Sequence, residues 1–282
     1  MDRAERARRG EQFRDLHASG QMLVLPNPWD IGTARLFANL GFQGLATTTA
    51  GLAFSLGRRD GDAAVSRDET LEHAQTIVDA TPLPVTADLE NGFGESPETV
   101  AETVRLAGEI GLAGVSIEDA TYRADDPILA RELAIERIQA AVEAAQALPY
   151  PFTVTARSEN FIRGNPDLDD TLSRLQAFEE AGADVLYAPG LPDESALRLA
   201  CISVAKPFNY VAGVGTTRFT LSELKEFGVR RVTIGTSFFR AGLTAVVRAA
   251  REVFHEGSFN YADGVHSVAD FNELIDPLTA DD

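Results

Sequence analysis

The sequence predicts a (β/α)8 barrel of the TIM type, and three observations carry that expectation. Eight short β-rich runs each give way to a helix-like segment, no low-complexity linker interrupts them, and 282 residues with 44% hydrophobic composition suit one barrel of about 250 residues with terminal additions. The rival is a doubly wound dinucleotide-binding sheet, whose glycine fingerprint follows the first strand. Here that strand ends in "PNPWDIG". The pair Gly213 and Gly215 in "VAGVGTTR" comes late, with Arg218 where a third glycine would stand. Residues 1–282 are therefore expected to form a single barrel domain with an N-terminal helix and a C-terminal helical extension.

In chain order the strands are expected in "MLVLPNP" (22–28), "GLATTT" (44–49), "PVTADLE" (84–90), "GVSIED" (114–119), "FTVTARSE" (152–159), "VLYAPG" (185–190), "PFNYVAG" (207–213) and "RVTIG" (231–235). The stretches between them read as helices. In "SPETVAETVRLAGEIG", Ser96 offers an N-cap, Pro97 suits the first helical position, Val100, Val104 and Ala107 keep helical spacing, and Gly111 is the stop. "DLDDTLSRLQAFEEAGAD" repeats this with Leu172, Leu175, Phe178 and a stop at Gly182. Past the last strand, "LTAVVRAAREVFHEGSF" reads as an amphipathic helix and "SVADFNELI" as a shorter one.

Composition excludes several partners. A formal net charge of −18 opposes nucleic acid and anionic membranes, which carry the same sign. Cys201 is the single cysteine, so no intrachain disulfide forms, and an apolar helical context suits it as a small packing residue. The opening "MDRAERARRGEQFRDLHASG" lacks the apolar core of a signal peptide or membrane span. A soluble cytoplasmic protein is expected.

A barrel gathers its chemistry at the C-terminal ends of its strands. Strand one offers Asn27, Trp29 and Asp30; strand two offers "TTTAGLA"; strand three offers Asp88 and Glu90; strand four offers Glu118 and Asp119; strand five offers Arg157 and Glu159; strand seven offers Asn209. Strand alternation points Asp88 and Glu90 to one face. Their mutual repulsion calls for a counter-charge, and an all-oxygen donor set favours Mg2+ or Mn2+ over zinc. An isolated D-x-E is as readily an Asx-capped turn. Arg157 suits either a structural ion pair with Glu159 or Asp119, or the binding of a ligand carboxylate. His17, His73, His255 and His266 all fall away from strand ends and read as surface or packing residues.

The segments "PNPWDIGTARLFANLGFQGLATTTAGLAFSLGRRDG", "ADLENGFG", "SIEDAT", "TARSEN" and "TIGTSFFRAG" together resemble the isocitrate lyase / phosphoenolpyruvate mutase superfamily, in order along nearly the whole chain. The resemblance implies a TIM barrel that binds Mg2+ (or Mn2+) and a small 2-oxo or 2-hydroxy carboxylate, with chemistry next to an enolate. It implies Asp88 as principal metal ligand, with Glu90 and Glu118 as further ligands and Asp60 beside the metal waters. It also implies substrate binding by the backbone of Ala50, Gly51 and Leu52, by Arg157, and by Asn209. A Glu stands at position 90 where the family motif has Asp. The lyases of the family follow the "IED" strand with K-[KR]-C-G-H, and the mutases carry Lys and Asn in that loop; this chain reads "EDATYRADDPIL", which leaves Tyr122 as a candidate proton donor. Pro189 in "YAPG" stands where the lyases carry Glu.

The implied activity is a Mg2+-dependent carbon–carbon lyase or decarboxylase for an acid such as oxaloacetate. The alternatives are a ketopantoate hydroxymethyltransferase-like transferase, a phosphonate P–C mutase or hydrolase, and a non-catalytic 2-oxo acid binding protein. The resemblance further implies a homodimer or homotetramer, with the C-terminal helix swapped between subunits.

Overall fold

The computed structural model describes residues 1–61, 63–213 and 218–278; Gly215 of the late glycine pair lies outside them. Eight strands fall inside the expected runs but are shorter: β1 (Leu23–Leu25), β2 (Leu45–Ala46), β3 (Val85–Asp88), β4 (Gly114–Glu118), β5 (Thr153–Arg157), β6 (Val185–Tyr187), β7 (Phe208–Val211) and β8 (Arg231–Thr233). They pair in parallel in the order β1-β8-β7-β6-β5-β4-β3-β2. The seam between β1 and β2 is bridged by the Ala46 N–H, which donates to the Pro26 carbonyl at 3.0 Å. Asn27 reinforces it, donating to the Thr47 carbonyl at 2.9 Å and accepting from the Ile234 and Gly235 N–H groups at 2.9 and 2.8 Å. Asn27 thus ties β1 to both neighbours.

Helices α1 (Arg3–Ala18), α2 (Ile31–Asn39), α3 (Thr49–Ser55), α4 (Arg67–Ala80), α5 (Pro97–Glu109), α6 (Arg131–Gln146), α7 (Leu168–Glu180), α8 (Glu194–Ser203) and α9 (Leu221–Phe227) accompany the strands. The local signals hold at α5: the Ser96 hydroxyl accepts from the Thr99 N–H, Val100, Val104 and Ala107 are buried, and Gly111 takes a φ of +89°. Phe13 of α1 is fully buried with Leu23, Leu25, Ala46 and Ala113, closing the N-terminal end of the barrel. Gly10 permits this, since a Cβ there would collide with the Pro151 carbonyl.

The main apolar core lies between strands and helices. Inside the barrel, by contrast, the middle layer is polar: Thr86, Ser116, Thr155, Asn209, Arg231 and Thr233 all border one cavity. Branched aliphatics usually fill this space.

Helix α10 (Ser237–Glu256) touches the barrel through its first turn, where Phe239 packs edge-on against Trp29 at 5.2 Å and Phe238 lies 5.5 Å from Phe37. Its later apolar residues Leu243, Val246, Val247, Val253 and Phe254 are exposed, Phe254 to 84%. A 3-10 turn (Asn260–Ala262) leads to α11 (Val268–Ile275), which returns to α2: the Asn39 amide donates to the Leu274 and Asp276 carbonyls, both at 2.9 Å. Among the described residues, no helix is long and apolar enough to cross a membrane.

Candidate active site

A cavity of about 580 Å3 opens at the C-terminal ends of the strands, lined by Asp60, Asp88, Glu90, Glu118, Tyr122, Arg157 and Arg163 among others. Glu118 and Arg157 are the last residues of β4 and β5 and pair directly in register. That places Arg157 Nη1 3.2 Å from Glu118 Oε2 and 3.9 Å from Asp88 Oδ1, while its Nε donates to Glu159. The alternative partner, Asp119, faces the helices instead. It accepts from the Glu159 N–H at 2.8 Å and from Arg174 at 3.1 Å.

Asp88 and Glu90 line the same cavity for a reason other than the one the sequence suggests. Strand β3 stops at Asp88, and Glu90 has a φ of +49°, so alternation does not extend to it. The Glu90 N–H donates to Asp88 Oδ1 at 3.3 Å, an Asx turn that folds the chain back over the barrel mouth. The Glu90 carbonyl still accepts from the Glu118 N–H at 2.9 Å, which fixes the turn to β4. Arg137 on α6, 1% exposed, clamps the same turn from behind by donating to the carbonyls of Asn91, Gly94 and Glu118. The turn reading thus holds here, and the turn itself brings Glu90 to the cavity.

Arg163 completes the rim, its Nη2 3.0 Å from Glu118 Oε1 and its Nε 3.1 Å from Glu159 Oε2. Each of these two carboxylates therefore lies between two guanidiniums. Tyr122, at a φ of +60°, donates from its hydroxyl to Glu118 Oε1 at 2.8 Å, and Arg163 stacks over its ring at 4.7 Å. The loop carrying it closes on itself: Ala120 bridges Ile128, and the Leu129 N–H donates to the Asp119 carbonyl at 2.8 Å.

Burial dominates the electrostatics. It raises the Asp88 carboxyl, and it lifts Glu90 to about 8 with help from the charges of Asp88 and Glu118. Glu159 also rises to about 8 through burial, against the opposing pull of Arg157 and Arg163. The Tyr122 hydroxyl is raised by burial and by the adjacent Glu118, so it keeps its proton. Asp60 stands at the exposed edge of the rim, its carboxyl raised by partial desolvation.

This donor set fits a hard cation that retains water. Asp88 and Glu90 crowd two carboxyl groups onto one wall, and the oxygens suit Mg2+ or Mn2+. Among the described residues, no three carboxylate, imidazole or thiol groups lie close enough to ligate one ion directly, so the outer carboxylates would act through water. Such a cation would lower the cost of ionising Asp88 and Glu90 in a buried place.

The small-residue run after β2 needs a correction. Of Ala50, Gly51 and Leu52, only Ala50 borders the cavity. The run folds into α3, where the Gly51 N–H donates to Thr48 Oγ1 at 3.2 Å and the Leu52 N–H to the Thr48 carbonyl at 3.1 Å. Helix formation consumes those two donors, while Thr49 and Ala50 of the first turn border the cavity. Thr49 also donates its hydroxyl to Asp88 Oδ2 at 3.2 Å. Asn209 lies deeper, donating to Thr233 Oγ1 at 3.2 Å.

With this geometry in view, the family model for phosphoenolpyruvate phosphomutase matches residues 13–254. The chain belongs to this family. It is 31% identical over 255 residues to 2-methylisocitrate lyase of Salmonella typhimurium LT2, covering 87% of this chain and 83% of that protein. A crystal structure of a candidate lyase/mutase from Burkholderia cenocepacia J2315 superposes with a TM-score of 0.93 at 51% identity, covering 95% and 96% of the two chains. A structure of oxaloacetate acetylhydrolase in complex with its product oxalate superposes with a TM-score of 0.85 at 25% identity, covering 95% and 94%. The phosphoenolpyruvate phosphomutase family and these relatives make the chain an enzyme of the lyase and mutase kind.

Sequence reading passed over Arg163, Thr49 and Tyr187, although Arg157 lies 5.1 Å from the Tyr187 ring centroid. Arg163 had a signal, since it follows Glu159 at helical spacing. Tyr187 had one too, as the inward residue before "APG".

Proposed function

We propose that the chain is a Mg2+-dependent carbon–carbon lyase or decarboxylase for a small 2-oxo or 2-hydroxy dicarboxylate of the oxaloacetate type. The observation that carries this reading is the cavity itself. Asp88, Glu90 and Glu118 meet Arg157 there, and no cysteine, lysine or histidine is among the described residues that line it. A divalent cation held by Asp88, with Glu90 and Glu118 reached through water, supplies a Lewis acid for the 2-oxo group when bound. The chain's own residues do the rest. Arg157 and the backbone N–H groups of Thr49 and Ala50 fix the substrate carboxylate, and the polar wall is preorganised for charge that develops next to it. When the bond between carbons three and four of an oxaloacetate-type acid breaks, the carbon-four carboxylate leaves as CO2 and the electron pair stays on carbon three, delocalised into the 2-oxo group. Tyr122 holds a proton at the cavity for return to that carbon.

Incubation with 2-oxo and 2-hydroxy diacids and Mg2+, followed by release of CO2 or of the two smaller acids, tests the proposal. Metal-dependent turnover lost in Asp88→Ala supports it. No turnover across the panel, together with ligand binding unchanged in Asp88→Ala, refutes it. Binding of a 2-oxo acid with no product identifies a binding protein instead.

We also propose a homodimer or homotetramer in which α10 lies against a neighbouring copy. Its exposed stripe of Leu243, Val246, Val247, Val253 and Phe254 supports this reading. A monomeric mass by light scattering at micromolar concentration would refute it.

A further inference from the structure

The floor of the cavity holds a charge that the rim chemistry leaves unused. Arg231 opens β8, is 3% exposed, and turns into the barrel to donate from Nη1 to Thr155 Oγ1 at 2.8 Å. Thr155 stands two residues before Arg157 on the same face of β5, roughly 6–7 Å further down the barrel at strand rise. The Arg231 guanidinium is thus one layer beneath the rim. The Phe13 ring closes off the space below, its centroid 5.9 Å away.

Among the described residues this cation has no acidic partner. Its Nε is buried without a hydrogen bond to any of them, and the ionisable neighbours among them that bear on it are Tyr187 and His17, neither of which is a carboxylate. Burial lowers its pKa to about 10. The groups around it are short of partners too: Thr86 Oγ1 and Asn209 Oδ1 are likewise buried and unbonded, and both residues border the same cavity. The Thr233 hydroxyl can serve either end of the Asn209 amide, so turning that amide over keeps the bond and presents Nδ2 inward. A buried guanidinium without a counter-charge is costly, and a hydroxyl, an amide N–H and a guanidinium N–H bordering one cavity are donors that can serve an acceptor there. At the rim, Arg157 and Arg163 are already paired with carboxylates; the Arg231 guanidinium on the floor has none.

We propose that the cavity floor is a small-anion site centred on Arg231, with Thr86 and Asn209 as its neutral donors. Its occupant is the second carboxylate of a dicarboxylic ligand or, without one, a free halide. The carboxylate source rests on the function proposed above; the halide source does not. Arg231 is in that case a specificity residue for diacids over monoacids.

Two measurements on Arg231→Met and Arg231→Lys decide this. The first compares melting in sodium chloride and in sodium gluconate at equal ionic strength, gluconate being too bulky for the floor. Wild type and Arg231→Lys are expected to melt higher in chloride, and Arg231→Met to melt alike in both. The second compares calorimetric binding of malonate and pyruvate in the presence of Mg2+. Wild type is expected to prefer the diacid by about tenfold or more, the value of a hydrogen-bonded charge, and Arg231→Met to lose that preference while binding pyruvate unchanged. Either response, lost in Arg231→Met and kept in Arg231→Lys, supports the site and identifies its occupant. If Arg231→Met keeps the wild-type behaviour in both, or if wild type shows neither response, the site is refuted. Should neither acid bind to wild type, the proposed function falls and the chloride comparison alone judges the floor.

Discussion

The mouth of the barrel and the tail beyond β8 depart from the usual division of residues in opposite directions. At the mouth, Glu118 and Glu159 are 3% and 0% exposed, and are held by Arg157, Arg163 and Tyr122. Along α10, Leu243 is 48%, Val246 60% and Phe254 84% exposed. Buried charge and exposed hydrophobe are both expensive, and under the proposed function each is offset by something outside the folded monomer. The proposal supplies a cation and a carboxylate ligand for the mouth and another copy of the chain for the tail.

The largest expected effect tests the mouth. Asp88→Ala should lower kcat/KM on the order of 10^3-fold, with circular dichroism unchanged. A rate within a few fold of wild type would place the chemistry elsewhere. The tail is tested next. Replacing Val246 and Phe254 together by Asp should convert the proposed oligomer to monomers in light scattering, since the charges would sit in the apolar interface proposed for α10. An unchanged mass would make the stripe a surface without a partner.

Tyr122→Phe removes the proposed proton donor while keeping the stack under Arg163, and should cost about 10^2-fold in kcat. An equal loss in ligand affinity would make Tyr122 a positioning residue for Glu118 instead.

The smallest effect is a slope in stability. Glu90 has a folded-state pKa of about 8, above its ordinary 4.5. Between these values the folded protein binds more protons than the unfolded chain. The stability from the protonated form is therefore complete below about 4.5 and lost as pH rises through about 8. The metal-free melting temperature should fall by a few degrees between about pH 5.5 and 8, and Mg2+ should flatten that fall by pairing with the ionised rim. A slope that ignores Mg2+ would separate this carboxylate from any cation site.

Legibility in the sequence differed by residue. Glu118 and Arg157 were readable because each ends a strand whose β-branched run is visible in a short window. Glu90 was read into the cavity by alternation, whereas a positive φ and an Asx turn bring it there. Gly51 and Leu52 read as open donors, but α3 takes their N–H groups for its own first turn. Arg231 carried half a signal: it follows Arg230, and alternation sends one of any adjacent pair inward.

The sequence by itself determined the eight strands, the helix caps and stops, and the family motifs. Each is written in contiguous residues through side-chain periodicity and turn chemistry. Tertiary structure decided which charges meet: Glu118 with Arg157 and Arg163, Asp119 with Arg174, Arg231 with Thr155 across the barrel. Those pairings follow from the register of strands distant in sequence and from the closure of the sheet, and neither is encoded in a local window.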